Sequence, residues 1–459
     1  MFFEKMPLRF VARQEKTPEK SGVLARHRGF EPLAFGSVAV ENRLFREFLP
    51  IFRHFYLSLV IMRFPYFFVR FRLDYIQRYI EISFYFCYNV NIGNWYMIQN
   101  GISKDENSRV YYIDNLRWMS VSLLILFHAS VAYNTWGEAN YIFLGPVKSI
   151  ASIVTFISPW FMPLMFLLAG VSARYSLKKR GYKAFIRERL LRLGIPLFFG
   201  LLVLNPALSY IADKSHNGYT GGYFEHYSLF FTRITDLTGY DGGFTLGHLW
   251  FILILLLLSI LSCIVTKTVP ENKTAVRVIE IVLSALAIAT FDIKFFGKPL
   301  LMFFCVYLLG YYLFGNPDFV EKLSKFKWIF ATLFLVVSVL DIVLYIYVSG
   351  YEILNTVCYY VSFVTGILAF VALGHDYLDF SNRFTAFQTS ISYVFYIVHF
   401  PIVTLFQYAL SICGANIVAN FLLTITIVYP LTYGICFLIT KTRLVRVLFG
   451  LKIKKADRK

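Results

Sequence analysis

Two ionisable side chains, those of Arg117 and His128, lie eleven residues apart on the first strongly apolar stretch of the chain. Eleven steps of an α-helix at ~100° each come to about 20° past three whole turns, so the two side chains share one face, roughly 16 Å apart along the axis. If this helix begins at the cytoplasmic surface, the arginine lies at the membrane interface and the histidine near the middle of the hydrocarbon. An ionisable group at that depth is costly and therefore usually functional.

A histidine at this depth has more than one interpretation. An imidazole titrates near neutral pH and suits a general base, and a second histidine, His399, lies in another apolar stretch, Ser392–Pro401. Alternatively, each imidazole only forms a hydrogen bond to a neighbouring helix. The residues alone leave catalysis, transport and a structural role open.

The composition indicates what positions these residues. Of the 459 residues, 58% are hydrophobic, the mean hydropathy is +0.59, and apolar runs close to twenty residues long recur from Leu116 onward. These features predict an all-α fold, a polytopic membrane helical bundle. The formal charge of +18 is carried by short segments between the apolar runs and not by one basic domain, which argues against a nucleic-acid partner.

About ten spans are predicted, within a range of nine to eleven, because the fifth is short and contains Glu280. Their approximate bounds are 116–134, 150–172, 194–211, 248–266, 278–293, 298–315, 327–349, 354–373, 390–411 and 416–439. The segment from Arg174 to Arg192 contains eight Lys or Arg residues against one acid, and the tail after the tenth span is also basic. By the positive-inside tendency, both termini are cytoplasmic and residues 211–247 face outward.

Three regions follow from this pattern: an N-terminal arm over 1–108, a membrane domain over 109–440 and a basic cytoplasmic tail over 441–459. The arm is rich in Arg and aromatic residues and has no clean signal peptide or span, so we expect it to be cytoplasmic and poorly ordered. One interpretation is an amphipathic segment on the membrane surface. We favour an over-extended start, because Met97 opens an ordinary polar leader for the first span.

Two segments outside the apolar runs have functional interpretations. Arg187, Arg189 and Arg192 lie on a cytoplasmic stretch with helical periodicity, where guanidinium groups suit phosphates. Topological retention and lipid headgroup contact explain the same charge. The outward stretch 213–247 is rich in Gly and aromatic residues, which suits a sugar acceptor or an interfacial aromatic belt. The segment Gly247–Phe251 then begins the fourth span at the outer interface.

Taken in order, five segments resemble the acyltransferase 3 family of integral membrane acyltransferases, and within it most resemble the periplasmic-glucan succinyltransferase branch. They are Tyr112–Tyr133 with its Arg, ten residues, His arrangement, Pro159–Arg174, Phe185–Pro196 with its arginine-rich run, His248–Phe251 and Ser392–Pro401. The resemblance covers about residues 110–440. The chain has Ala169 before Gly170 where many members have serine, and residues 1–96 match nothing in the family.

The resemblance implies an O-acyltransferase that moves an acyl group, acetyl or succinyl, from a cytoplasmic acyl-CoA donor to a hydroxyl of an extracytoplasmic or lipid-linked glycan. It also implies a bacterial cytoplasmic membrane as the location, His128 as the catalytic base, and Arg117 as a residue that helps hold the donor or the histidine. The phosphates of the donor are expected at three arginines, Arg187, Arg189 and Arg192. Substrate contacts are expected from four further residues, His248, Trp250, Tyr393 and His399.

Other classes of protein stay open as alternatives. A secondary transporter or exporter would use intramembrane His and Arg as a relay, although the chain has no visible inverted repeat of the kind that many transporters contain. A membrane scaffold would use the outward stretch to bind another protein. No metal site is predicted, because the six cysteines are scattered, have no zinc or disulfide spacing and suit packing positions. Membrane lipids are expected partners, and neither the acyl group nor an oligomeric state is defined.

Overall fold

The computed structural model describes residues 110–269, 273–295, 297–348 and 350–451. The N-terminal arm predicted over 1–108 and the last eight residues of the basic tail lie outside the described residues. Every regular element in the described part is helical, apart from a single bridge between Phe295 and Lys298. The all-α prediction is therefore confirmed for this part of the chain.

Each predicted span corresponds to one helix or to consecutive helices joined by short turns. The α-helices are Tyr111–Val131 (α1), Lys148–Ile157 (α2), Phe161–Arg180 (α3), Tyr182–Arg189 (α4), Ile195–Val203 (α5), Asn205–His216 (α6), Tyr223–Thr232 (α7), Trp250–Thr268 (α8), Lys273–Ala289 (α9), Leu300–Leu309 (α10), Pro317–Ser324 (α11), Lys327–Ile342 (α12), Glu352–Tyr377 (α13), Arg383–Ile412 (α14), Ile417–Lys441 (α15) and Arg443–Leu448 (α16). Wider π-helical turns at Leu190–Gly194, Gly310–Phe314 and Val343–Tyr347, and a tighter turn at Gly247–Leu249, join some of them.

Seven of these helical stretches are long and apolar enough to cross a membrane. The count rises to eight if Leu300–Phe314 and Pro317–Ser324, which meet at a bend of 92°, form one broken span. Neither α1, with Asp114 and Arg117 in its first two turns, nor α9, with 17 residues, is among the seven. The polytopic membrane character is thus confirmed, whereas ten spans with both termini in the cytoplasm stay a prediction.

The helix α14 makes the contacts that position the candidate site, since it packs against α1, α6 and α15. It begins at a capping box, in which the Thr385 N–H donates to Asn382 Oδ1 at 2.9 Å and the Asn382 N–H donates to Thr385 Oγ1 at 3.0 Å. Farther along, Gln407 Nε2 donates to the Ala129 carbonyl of α1 at 3.0 Å. Because side-chain hydrogen bonds between helices are directional, this contact fixes the register of α1 against α14.

The helices α3 and α10 cross with almost no space between their backbones. A Cβ atom at Gly170 would overlap the carbonyl of Tyr307 on α10, and a Cβ atom at Gly310 would overlap the carbonyl of Leu167 on α3. Small residues allow this kind of close approach between membrane helices. The crossing therefore depends on a glycine from each side.

We expect Gly170→Ala to destabilise the protein, because the added methyl group must displace a backbone carbonyl and not a flexible side chain. Overpacking costs roughly 1–3 kcal/mol. The matched control is Gly434→Ala on α15, where a Cβ atom meets nothing within 4 Å and alanine is favoured in a helix by roughly 0.5–1 kcal/mol. Melting temperatures of both variants in detergent test the difference, and an unchanged value for Gly170→Ala would contradict it.

One anchor of the segment that follows α6, residues 217–249, is a buried carboxylate, that of Asp213. The Asp213 side chain is 3% exposed and its Oδ2 accepts hydrogen bonds from His226 Nε2 at 3.1 Å and from Arg233 Nη1 at 3.2 Å. Asn217 Nδ2 donates to the other carboxylate oxygen at 2.7 Å. Three points of the segment thus converge on Asp213, and the rings of Tyr210 and Tyr219 contact the His226 imidazole.

This anchor predicts a dependence on pH. Burial lowers the pKa of His226 below its ordinary value of 6.5, although Asp213 acts in the opposite direction. His226 then binds a proton more readily when the segment is displaced than when the segment is in place. The free energy that holds the segment in place is therefore fully present above pH 6.5 and decreases as the pH falls below that value. We expect lower hydrogen-exchange protection factors in 217–249 at about pH 5.5 than at about pH 7.5. The difference should vanish in His226→Gln, and a wild-type protein without it would contradict the assignment.

Candidate active site

Three histidines from separate parts of the chain meet inside the bundle, and we call them the histidine cluster. His128 comes from the last turn of α1, His399 from the middle of α14, and His248 from the turn before α8. The ring centroid of His399 is 5.3 Å from that of His128 and 5.3 Å from that of His248. His248 and His399 are buried, and His128 is partly buried. The structure therefore brings three of the predicted site residues together.

Pro401 explains how His248 is held against the middle of α14. Proline has no backbone N–H, so the carbonyl of Ile397, four residues earlier, lacks its helical partner. His248 Nε2 takes that place and donates to the Ile397 carbonyl at 2.8 Å, while Tyr396 OH donates to the His248 carbonyl. A candidate span does begin at Gly247 as predicted, but His248 is buried against α14 and not at a surface.

The residues before His248 form the turn that directs it inward. Gly247 has φ +49°, in the left-handed region that favours glycine. Its N–H donates to Thr245 Oγ1 at 2.9 Å, and Asn205 Nδ2 of α6 donates to the Thr245 carbonyl at 3.0 Å. Tyr141 OH is also hydrogen-bonded to Thr245 Oγ1, at 2.8 Å. The turn is thus fixed between α6 and the connection that follows α1.

The hydrogen bonds of His248 and His399 define their neutral tautomers. A carbonyl oxygen only accepts, so the hydrogen lies on Nε2 of His248 and on Nδ1 of His399, which is 2.6 Å from the Tyr396 carbonyl. The remaining nitrogens, Nδ1 of His248 and Nε2 of His399, are buried and have no hydrogen-bond partner among the described residues. Each ring thus presents a lone pair that a ligand hydroxyl can satisfy.

His128 is oriented by ring stacking. Its imidazole lies on the ring of Phe400, with 3.9 Å between the centroids and 27° between the planes, and Phe127 contacts it edge-on at 5.3 Å. Within the part of the chain that the structure describes, no hydrogen-bond partner engages its ring nitrogens. An imidazole that packing orients, and whose lone pair is available, can accept a proton from a bound hydroxyl.

Arg117 lies toward the other end of α1 and joins it to α3. Its Nη2 donates to Ser172 Oγ at 2.6 Å and to the Leu168 carbonyl at 3.5 Å, and its Nη1 is 3.0 Å from Asp114 Oδ1. Eleven residues of helical rise separate Arg117 from His128 by roughly 16 Å, so the two side chains do not touch. The side chain is 30% exposed, which leaves it accessible to a ligand.

The three arginines predicted to bind phosphate differ in their surroundings. Arg189 is half-buried and within electrostatic range of Arg117, and among the described residues no carboxylate lies within ion-pair distance of it. Arg192 is paired with Glu188 at 3.2 Å, and Arg187 is exposed. We call Arg117, Arg189 and Arg192 the arginine end of the bundle. Arg117 is on α1 with His128, whereas Arg189 ends α4 and Arg192 lies in the turn that follows it.

Two further residues, Tyr393 and Trp250, were predicted to contact substrate, and neither is part of the histidine cluster. Tyr393 OH donates to the Arg192 carbonyl at 2.9 Å, which places Tyr393 at the arginine end. Trp250 follows His248 and stacks on Phe303, with 5.9 Å between the ring centroids. The substrate contacts of both residues stay predictions. A contact of Tyr393 would be made at the arginine end.

Sequence reasoning missed Ser172 and Phe400. An arginine at the edge of an apolar helix requires a polar partner, so a serine in the matching Pro159–Arg174 segment was the available signal for Ser172. The stacking of Phe400 on His128 has no counterpart in the sequence pattern. No group of three or more His, Cys, Asp or Glu side chains in the described ranges is arranged to hold a metal ion.

The described part of the chain is an all-α membrane protein in which three imidazoles meet inside the bundle. The acyltransferase domain of the acyltransferase 3 family matches residues 110–441, so the chain is a member of that family.

The chain is similar to glucans biosynthesis proteins C from Salmonella. That of Salmonella gallinarum is 25% identical over 171 residues, which are 36% of this chain and 41% of the relative. That of Salmonella schwarzengrund is 26% identical over 160 residues, or 34% of this chain and 38% of the relative. The chain thus spans about two fifths of the length of the relatives that it matches. No solved structure matches it.

Proposed function

We propose that the protein is a membrane O-acyltransferase that moves an acyl group, acetyl or succinyl, from a cytoplasmic acyl-CoA donor to a hydroxyl of an extracytoplasmic or lipid-linked glycan. The observation that carries this proposal is the histidine cluster inside the bundle, joined to the arginine end by α1, which contains both Arg117 and His128. Membership of the acyltransferase 3 family and similarity to proteins named for glucan biosynthesis support the class of reaction and of acceptor.

His128 acts as the general base in this mechanism. Its neutral imidazole accepts the proton of the acceptor hydroxyl as that oxygen attacks the thioester carbonyl. The tetrahedral intermediate then expels the CoA thiolate, which takes the proton from the imidazolium and leaves an ester and free CoA. Base catalysis of this kind contributes typically ~10²–10⁴-fold.

The lone pairs of His248 and His399 suit an acceptor that has several hydroxyl groups. Each unpartnered nitrogen can accept a hydrogen bond from a hydroxyl next to the one that reacts. A buried polar atom without a partner is costly, so a bound polyol recovers the energy of these hydrogen bonds. A hydrocarbon acceptor would leave both nitrogens unsatisfied.

The arginine end suits the charged part of the donor. Arg189, without a carboxylate partner in the described part of the chain, is the guanidinium that we propose to contact phosphate oxygens. Arg117, which Ser172 and Asp114 orient, adds positive charge beside it. The phosphates remain outside the hydrocarbon, and the flexible arm of the donor extends along α1 toward His128. Donor and acceptor then meet end to end, which supplies the orientation effect of a positioned reaction.

A labelled donor tests the proposal directly. Membranes that contain the full chain are incubated with acyl-CoA labelled in the acyl group and with candidate glycans. We expect base-labile label on the glycan and an equal release of free CoA thiol. A transporter would move its solute across sealed vesicles without forming an ester, and a scaffold would do neither. If the protein is correctly inserted in the membrane and no acceptor carries an ester, the proposal is contradicted.

The membrane in question is proposed to be the bacterial cytoplasmic membrane, where both substrates have access. Cytosolic acyl-CoA approaches from one side and the glycan from the other, and the several apolar helices support this placement. Mass spectrometry of envelope polysaccharides from cells with and without the gene would identify the acceptor.

A further inference from the structure

Lys298 is a cation next to the histidine cluster that the mechanism above does not use. It precedes α10 and is partly buried, with its Nζ 4.7 Å over the ring of Trp250, two residues after His248. Its backbone is fixed by the bridge to Phe295, through hydrogen bonds of 2.9 and 3.0 Å. Its charge is within electrostatic range of His128. Through Trp250, the ammonium group lies beside the start of α8, on the His248 side of the histidine cluster.

No carboxylate neutralises this ammonium group by direct contact in the described ranges. The acid within electrostatic range is Glu138, but its oxygens accept hydrogen bonds from Tyr240 OH at 2.7 Å and from Trp136 Nε1 at 3.0 Å. A cation withdrawn from water without a counter-ion is costly. The aromatic face of Trp250 offsets only part of that cost.

The end of α10 adds to the positive potential at this place. Lys298 lies directly before the first turn of the ten-residue helix Leu300–Leu309, whose first turn contains no acidic residue. The N-terminus of a helix carries a partial positive charge and favours anions. Ammonium and helix end act together, and no carboxylate of the described residues forms an ion pair with the ammonium group.

We propose that Lys298, with Trp250 and the N-terminus of α10, binds an anionic group of a substrate, a carboxylate or a phosphate, and so determines which substrates react. This inference rests on the proposed function. The anionic group would lie beside Trp250, two residues from His248. It belongs either to the acyl group, as the free carboxylate of a dicarboxylic acyl donor, or to the acceptor, beside the attacked hydroxyl.

The test measures kcat/KM for matched substrate pairs with the full chain in lipid nanodiscs. The donors are acetyl-CoA and succinyl-CoA, and the acceptors are a neutral glucan oligosaccharide and the same oligosaccharide bearing one phosphate. For Lys298→Met we expect a loss of about 10- to 100-fold on the pairs that contain the recognised anion, as for removal of one partner of a buried charge pair. Pairs without it should stay within about 3-fold of wild type, and Lys298→Arg should recover most of the loss.

The pattern of losses assigns the source of the anion. A loss that follows succinyl-CoA places the carboxylate of the acyl group at Lys298, and a loss that follows the phosphorylated acceptor places the acceptor there. Lys294→Met, which removes a charge from the same connection, is the matched control and should show neither pattern. Equal losses on all pairs, or no loss on any, would overturn the proposal. A wild-type protein that transfers no acyl group at all overturns the proposed function instead.

Discussion

Replacing His128 with alanine should lower kcat for acyl transfer by ~10²–10⁴-fold, because the substitution removes the imidazole that we propose as the general base. The KM for acyl-CoA should change little, since the donor phosphates are expected at the arginine end, roughly 16 Å away along α1. Initial rates of ester formation at saturating glycan separate the two constants.

The matched control for this prediction is His375→Ala. His375 lies in the last turn of α13 and its Nδ1 is 2.7 Å from Asp376 Oδ1, so it is a histidine outside the cluster. Both variants must elute from size exclusion like the wild type, which excludes a folding defect. A kcat for His128→Ala within about 3-fold of the control would remove His128 from the mechanism.

Arg189→Gln should raise the KM for acyl-CoA by about 10- to 100-fold and leave kcat at saturation much less affected. The guanidinium is half-buried over the ring of Phe185, at 4.8 Å, and a hydrogen bond to a charged group contributes roughly 1.5–3 kcal/mol. Binding of the donor far from the reacting carbonyl is a ground-state contribution, so its loss appears in KM. A titration of initial rate against donor concentration measures it.

Arg187→Gln is the control, because Arg187 lies two residues away on the same helix but is exposed. Removal of an exposed charge affects donor binding only through a screened, long-range interaction. The KM of Arg187→Gln for acyl-CoA should therefore rise by less than about 3-fold. Equal effects of the two substitutions would indicate a general field of positive charge and would contradict a specific phosphate contact at Arg189.

Hydropathy predicted the helices because each apolar run of the sequence indicates, by itself, a helix in contact with lipid or with other helices. The last span was predicted over 416–439, and the helix runs from Ile417 to Lys441. The start of α14 was predicted too late, at residue 390, whereas the helix begins at Arg383. Its first two turns contain polar residues such as Thr385 and Gln388, which lower the hydropathy but form the cap and a contact to Tyr433.

The candidate site was predictable in part, because spacing along one helix is a local property. The common face of Arg117 and His128 follows from eleven residues of sequence alone. The meeting of His128, His248 and His399 depends on how α1, α8 and α14 pack, which the resemblance of separate segments suggested but no periodicity specifies. Contacts such as that of Arg117 with Ser172 likewise cross between helices.

The hydrogen-bonding gap that Pro401 leaves in α14 has a wider consequence. His128 and His399 belong to long helices, but His248 reaches the cluster at the end of residues 217–249 and is hydrogen-bonded to α14 through the Ile397 carbonyl and the hydroxyl of Tyr396. If that segment moved outward to admit a bulky glycan, the imidazole of His248 would leave the cluster, and those of His128 and His399 would stay. The number of imidazoles in the cluster therefore depends on the position of a segment between helices, and not on the two long helices alone.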